Sequence, residues 1–134
     1  MESIAEAPVR LFLVGLSEGL ARSVARYVGG DPRIVLTGVA PSLALAGILL
    51  STTESELALL DWSAVGRSSR EAVQALRLGC PGLRIVCMAN EAEPYRAAAS
   101  RAGADSVISK DDFAAELESL LRGLFPGRFR GSAA

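Results

Sequence analysis

The chain of 134 residues contains no histidine. That removes the commonest general base near neutral pH, the Ser-His and Cys-His nucleophile pairs, and most zinc sites. Cysteine is scarce. Cys80 and Cys87 lack CxxC spacing and read as free, buried or half-buried thiols in a reducing cytoplasm, where the protein is expected to reside. The opening MESIAEAPVR is acidic and too poor in apolar side chains for a secretion signal. LALAGILL (43–50) is far too short to span a bilayer, so no membrane association is expected. Net charge is −1 with both signs interspersed, which leaves no basic face for nucleic acid. LVGLSEGLA after the first strand offers only Gly15 and Gly19, neither a GxGxxG nor a P-loop. An enzyme is not expected.

What is present is enough for one packed domain: half the residues are apolar and 22% are charged. RLFLVG (10–15), RIVLTGVA (33–40), ELALLD (56–61), LRIVCMA (83–89) and SVIS (106–109) read as strands. Helices are expected over 17–30, 41–53, 68–79, 93–103 and 111–125. Ser17 is a candidate N-cap and Gly29 a stop; Ser68 or Ser69 caps the third helix, and Gly79 and Gly103 end the third and fourth. The last helix builds its apolar face from Phe113, Leu117, Leu120, Leu121 and Leu124, with Asp111 and Asp112 at its positive end.

Strands alternating with helices imply an α/β fold: a parallel sheet, helices on both faces, right-handed crossovers. In such sheets the functional crevice lies at the carboxyl ends of the strands. LALLDWSAVG (57–66) ends its apolar run there on one acid, Asp61. By its residues alone Asp61 could be a phosphoryl acceptor, a metal ligand, a catalytic base or a loop cap.

The segments VRLFLVG with GLARSVARYV, LALLDWSAVG, PGLRIVCMAN and above all YRAAASRAGADSVISKDD carry a resemblance. Over about residues 9–125 the sequence resembles the CheY-like receiver domain of response regulators, closest to the LuxR/NarL-type transcriptional regulators of two-component systems. The resemblance implies a flavodoxin-like (βα)5 sandwich with strand order 2-1-3-4-5. It implies that Asp61 stands at the phospho-acceptor position and Lys110 at that of the phosphoryl-contacting lysine. The family's two Mg²⁺-holding acids fall on Gly15 and Leu16, its hydroxyl residue on Met88, and its strand-five aromatic on Val107.

These departures have chemical consequences. Phosphoryl transfer rests on positioning and charge neutralisation, much of it by the metal, and Mg²⁺ requires oxygen ligands in near-octahedral geometry. Asp61 alone supplies a carboxylate, with the carbonyl of Ser63 and water; Glu18 is the nearest substitute acid, in a first helical turn. Methionine cannot donate the hydroxyl's hydrogen bond, and Val107 cannot repeat an aromatic swing. The expectation is a degenerate, pseudo-receiver site with weak or absent Mg²⁺ binding and no cofactor, in which Lys110 pairs directly with Asp61. The alternative is a working phospho-receiver with an unconventional metal site.

Two further features suggest contacts. Trp62, the one tryptophan, follows Asp61 and either packs over the pocket mouth or anchors a partner. The helix over 41–53 lacks a polar face, so Leu43, Leu45, Ile48 and Leu49 are candidates for an interaction surface. A protein partner or self-association as a dimer is expected, and contact with DNA only through an output domain outside this chain. Residues 1–8 read as a tail and 126–134 as a tail or linker to such a domain.

Overall fold

Strands β1 (Val9–Val14), β2 (Ile34–Ala40), β3 (Leu57–Asp61), β4 (Arg84–Ala89) and β5 (Ser106–Ser109) form one sheet. All are parallel, in the order β2-β1-β3-β4-β5, the flavodoxin-like arrangement expected from the sequence. The structure, a computed structural model, describes residues 7–65 and 68–128. Residues 1–6 and 129–134, most of the two expected tails, and Gly66 and Arg67 lie outside the described residues. The continuous apolar runs become the central strands because both faces of the sheet are covered; every residue of β3 is buried, Asp61 included. β2 is an edge and shows it, with Val35 and Val39 exposed. Its register shifts opposite Leu11 and Phe12, next to Gly38. A Cβ at Gly38 would lie 2.5 Å from the Phe12 ring, so the large core aromatic depends on that glycine.

The helices are α1 (Glu18–Gly29), α2 (Leu43–Thr53), α3 (Trp62–Val65), α4 (Ser69–Gly79), α5 (Arg96–Ala102) and α6 (Phe113–Leu124). One face of the sheet packs Leu11, Leu13 and Leu59 against Val24 and Val28 of α1 and Leu117 and Leu121 of α6. The other packs Phe12, Val14 and Leu60 against α2, α4 and α5 through Leu50, Val73, Leu76 and Ala99. Each such Leu, Val or Phe side chain contributes about 1.5–3 kcal/mol by leaving water.

Local chemistry explains where the elements depart from the sequence expectation. Ser17 caps α1, accepting from Leu20 N at 3.2 Å, but the chain turns at Gly30, and Gly29 is the last helical residue. Ser42 caps α2 in the same way, so the helix begins after Pro41. Pro94 splits the expected 93–103 helix into a 3₁₀ turn (Glu93–Tyr95) and α5, which stops at Gly103 with φ 99°. α6 starts later than expected because Asp112 N donates to Ser109 Oγ while Glu116 accepts from Ser109 N and Oγ. The single turn α3 was not expected at all.

At the opposite end of the sheet from Asp61, Glu56 precedes β3 and accepts from Arg10 N and from the Arg128 guanidinium. Arg128 also donates to the carbonyls of Ala7 and Pro8 and lies over the Phe125 ring. Its hydrogen bond holds the Glu56 carboxyl below the usual glutamate range, against a smaller opposing push from burial.

Candidate functional site

Four loops meet at the carboxyl edge of the sheet: those after β1, β3, β4 and β5. β3 delivers Asp61 there with its side chain 6% exposed, and the loop after β5 delivers Lys110, whose backbone N donates to Ala89 O. Lys110 Nζ lies 2.9 Å from Asp61 Oδ2. The other carboxylate oxygen, Oδ1, accepts from Ser63 N at 3.0 Å and Ser63 Oγ at 2.8 Å. That local ring is an Asx-type turn, and it starts α3 directly on the acid. Both oxygens of a buried carboxylate are therefore engaged, one by a cation, which offsets the cost of removing the charge from water.

Beside this pair opens a groove of about 180 Å³ lined by Asp61, Trp62, Ser63, Ala89, Asn90, Tyr95 and Lys110. Trp62 and Tyr95 face each other across it, ring centroids 6.2 Å apart. Asn90 and Tyr95 were missed in the sequence. Asn90, the residue after β4, could have been found from its place at the carboxyl end of a strand. Tyr95 carries no such signal, because the turn at Pro94 brings it back.

The remaining expected pocket residues do not line this groove. Met88 is opposite Asp61 in the sheet but fully buried, packed in the α1/α6 half of the core. Val107 is buried in the other half, with Cys87 as its sheet neighbour. Leu16 is half-buried and packs onto the α1/α6 side. Gly15 adopts φ +71°, and a Cβ there would fall 2.7 Å from Ala64 Cβ in α3. Glu18 is 92% exposed and points along its own helix to Arg22, 3.8 Å away. Burial, with a smaller contribution from the Asp61 charge, pushes the Cys87 thiol up to about 12, which makes it an inert packing group.

No protein-family model matches the chain, and no curated protein does. Solved structures do. CheY6 from R. sphaeroides, solved in complex with the P1 domain of CheA3, superposes with a TM-score of 0.79 at 21% identity, over 91% of this chain and 100% of that one. The signal receiver domain of NarL from Mycobacterium tuberculosis gives 0.77 at 22% identity, over 92% and 100%. A LuxR-family two-component response regulator from Aurantimonas sp. gives 0.76 at 21%, over 90% and 87%. The fold is the receiver fold.

The metal that receiver domains use for phosphoryl chemistry can be tested against these side chains. Around Asp61 the receiver fold here offers one carboxylate, already shared between Lys110 and Ser63, an apolar Leu16, and a Gly15 position with no room for a side chain. Among the described residues no group of three or more His, Cys, Asp or Glu could hold a metal ion. A hard cation needs more oxygen ligands than this, so the residues do not fit Mg²⁺.

Proposed function

We propose that this chain is a receiver-type signalling module that works by binding a protein partner or itself, without phosphorylation of Asp61 and without catalysis. The observation that carries this reading is the engagement of Asp61: Lys110 at 2.9 Å on one oxygen, Ser63 on the other. A nucleophilic carboxylate must instead be free to attack a phosphorus brought in by a cation, and the cation's ligands are replaced here by Gly15 and Leu16. The pairing closes the phospho-acceptor position as a structural contact. Solved structures of this fold include a receiver held by a partner domain, CheY6 with the P1 domain of CheA3, which supports a protein-binding role. The likeness to NarL and to a LuxR-family regulator supports an output in transcription regulation, with DNA contacted by another domain.

The test is incubation with acetyl phosphate and Mg²⁺, then with beryllofluoride, followed by intact-mass and chemical-shift measurements. The expected result is no phosphorylated species and no shift at Asp61. A phosphoryl adduct lost in Asp61→Asn would establish the second reading, in which Asp61 accepts the group with Lys110 as its principal cation. The open groove beside the acid favours that alternative.

A further inference from the structure

The metal of the receiver fold does not fit this edge, and α3 supplies a reason beyond the missing acids. A turn of 4 residues is too short to be stable alone, so its neighbours hold it. At its start, Ser63 N and Oγ donate to Asp61 Oδ1 at 3.0 and 2.8 Å. At its end, Val65 is buried in the core half that faces α2, α4 and α5, and Trp62 packs against the same half. Fixed in this way, the turn sets Ala64 over Gly15, where an added Cβ would lie 2.7 Å from that of Ala64. That is closer than two such carbons approach, and neither is the far end of a flexible side chain. On the other side of the acid, Lys110 Nζ lies 2.9 Å from Oδ2, and Lys110 N ties its loop to β4 through Ala89 O at 2.8 Å. Leu16, the second position that the family resemblance gives to a metal-holding acid, packs onto the α1/α6 side.

From this we infer that α3 and Lys110 form an internal lock that takes the place of the receiver cation. Lys110 supplies the opposite charge to Asp61, and the turn begun by Asp61 and Ser63 lays Ala64 over the position of the second carboxylate. An acid restored after β1 therefore cannot bring Mg²⁺ back by itself; the obstacle is the methyl group of Ala64. Mg²⁺ is held by one or two carboxylates, with waters completing its shell, so Asp61 and an aspartate at position 15 meet its need once that methyl is gone. The φ of +71° at Gly15 is one that Asp adopts more readily than most residues other than glycine. The lock joins the loops after β1, β3 and β5 through one carboxylate, so the edge offered to a partner is the same with or without the ion. The inference rests on the reading above, in which Asp61 is engaged rather than phosphorylated. A phosphoryl adduct on the unaltered chain would sink that reading, whereas the comparison of variants below bears on Ala64 alone.

Mg²⁺ titration of the whole chain tests it, followed by Trp62 emission and by thermal unfolding, since an ion bound only to the folded state raises the melting temperature. The expected result is no response in the unaltered chain, in Ala64→Gly or in Gly15→Asp. The double variant Gly15→Asp/Ala64→Gly gives saturable quenching and a rising melting temperature, with affinity more than about tenfold above Gly15→Asp. Adding Asp61→Asn to the double variant abolishes both responses. A second measurement needs no metal: Gly15→Ala lowers the melting temperature, and lowers it less when Ala64→Gly is already present. Mg²⁺ bound by the unaltered chain, bound by Gly15→Asp as tightly as by the double variant, or not bound by the double variant would overturn the proposal. So would an equal loss from Gly15→Ala in both backgrounds.

Discussion

Gly15 and Ala64 leave no space between them: a Cβ at position 15 would lie 2.7 Å from that of Ala64. The turn α3 thus occupies the place toward which an acid after β1 would project. Gly15→Asp is expected to lose about 2 kcal/mol, from the contact and from φ +71° together. Urea unfolding measures it. Ala64→Gly in the same chain should return the part due to the contact and leave the part due to φ; an unchanged midpoint in Gly15→Asp would show that α3 yields freely.

Removing one member of the Asp61–Lys110 pair strands the other. Lys110→Met leaves a buried carboxylate held only by Ser63 and is expected to cost about 2 kcal/mol, less than a fully buried pair because Lys110 is 25% exposed. Asp61→Asn with Lys110→Met should be more stable than Lys110→Met alone. A double-mutant cycle reads the coupling, and additive losses would mean the two groups do not interact.

Trp62 borders the groove next to Asp61 and is the only indole in the chain. Its emission is expected to stay constant as Mg²⁺ is raised through the millimolar range. Saturable quenching that disappears in Asp61→Asn would show a metal bound beside the acid.

The Glu56–Arg128 contact makes stability depend on pH. The folded-state value of Glu56 is depressed, chiefly by the hydrogen bond from Arg128, so its contribution is present above the ordinary glutamate value. It is lost as pH falls through the depressed value. Glu56→Gln is expected to cost about 1 kcal/mol at neutral pH, a modest figure because both side chains are about one-third exposed. The deficit should shrink on acidification. A deficit that grows instead, in melting curves from neutral to strongly acidic pH, would contradict the assignment.

The fold was legible because its signals are local and repeated. Short apolar runs such as LALLD, bounded by polar residues and alternating with helical segments, read as strands covered on both sides, and Ser17, Pro41-Ser42 and Gly103 punctuate the helices where the backbone turns. The position of Asp61 was legible for the same reason, an acid closing a buried strand. What could not be read was set by tertiary approach. WSAV is too short for a helical period, so α3 and its closure of Gly15 left no pattern. Met88 and Val107 were assigned to the pocket by alignment with a family's positions, but strand alternation sends one into each half of the core. The helix over 41–53 is apolar on every side in the sequence; which of its leucines turn inward depends on where the sheet lies, and Leu43 and Leu49 do.

Arg128 reaches back across the whole sequence to the carbonyls of Ala7 and Pro8, the second at 2.9 Å. The described polypeptide is in effect a ring closed by a guanidinium. A short peptide bridge between its ends, with the chain reopened at an exposed turn such as Pro81–Gly82, should yield a circular permutant with the same sheet. Joining the ends there would leave the carboxyl edge with Asp61 and Lys110, at the opposite end of the sheet, undisturbed.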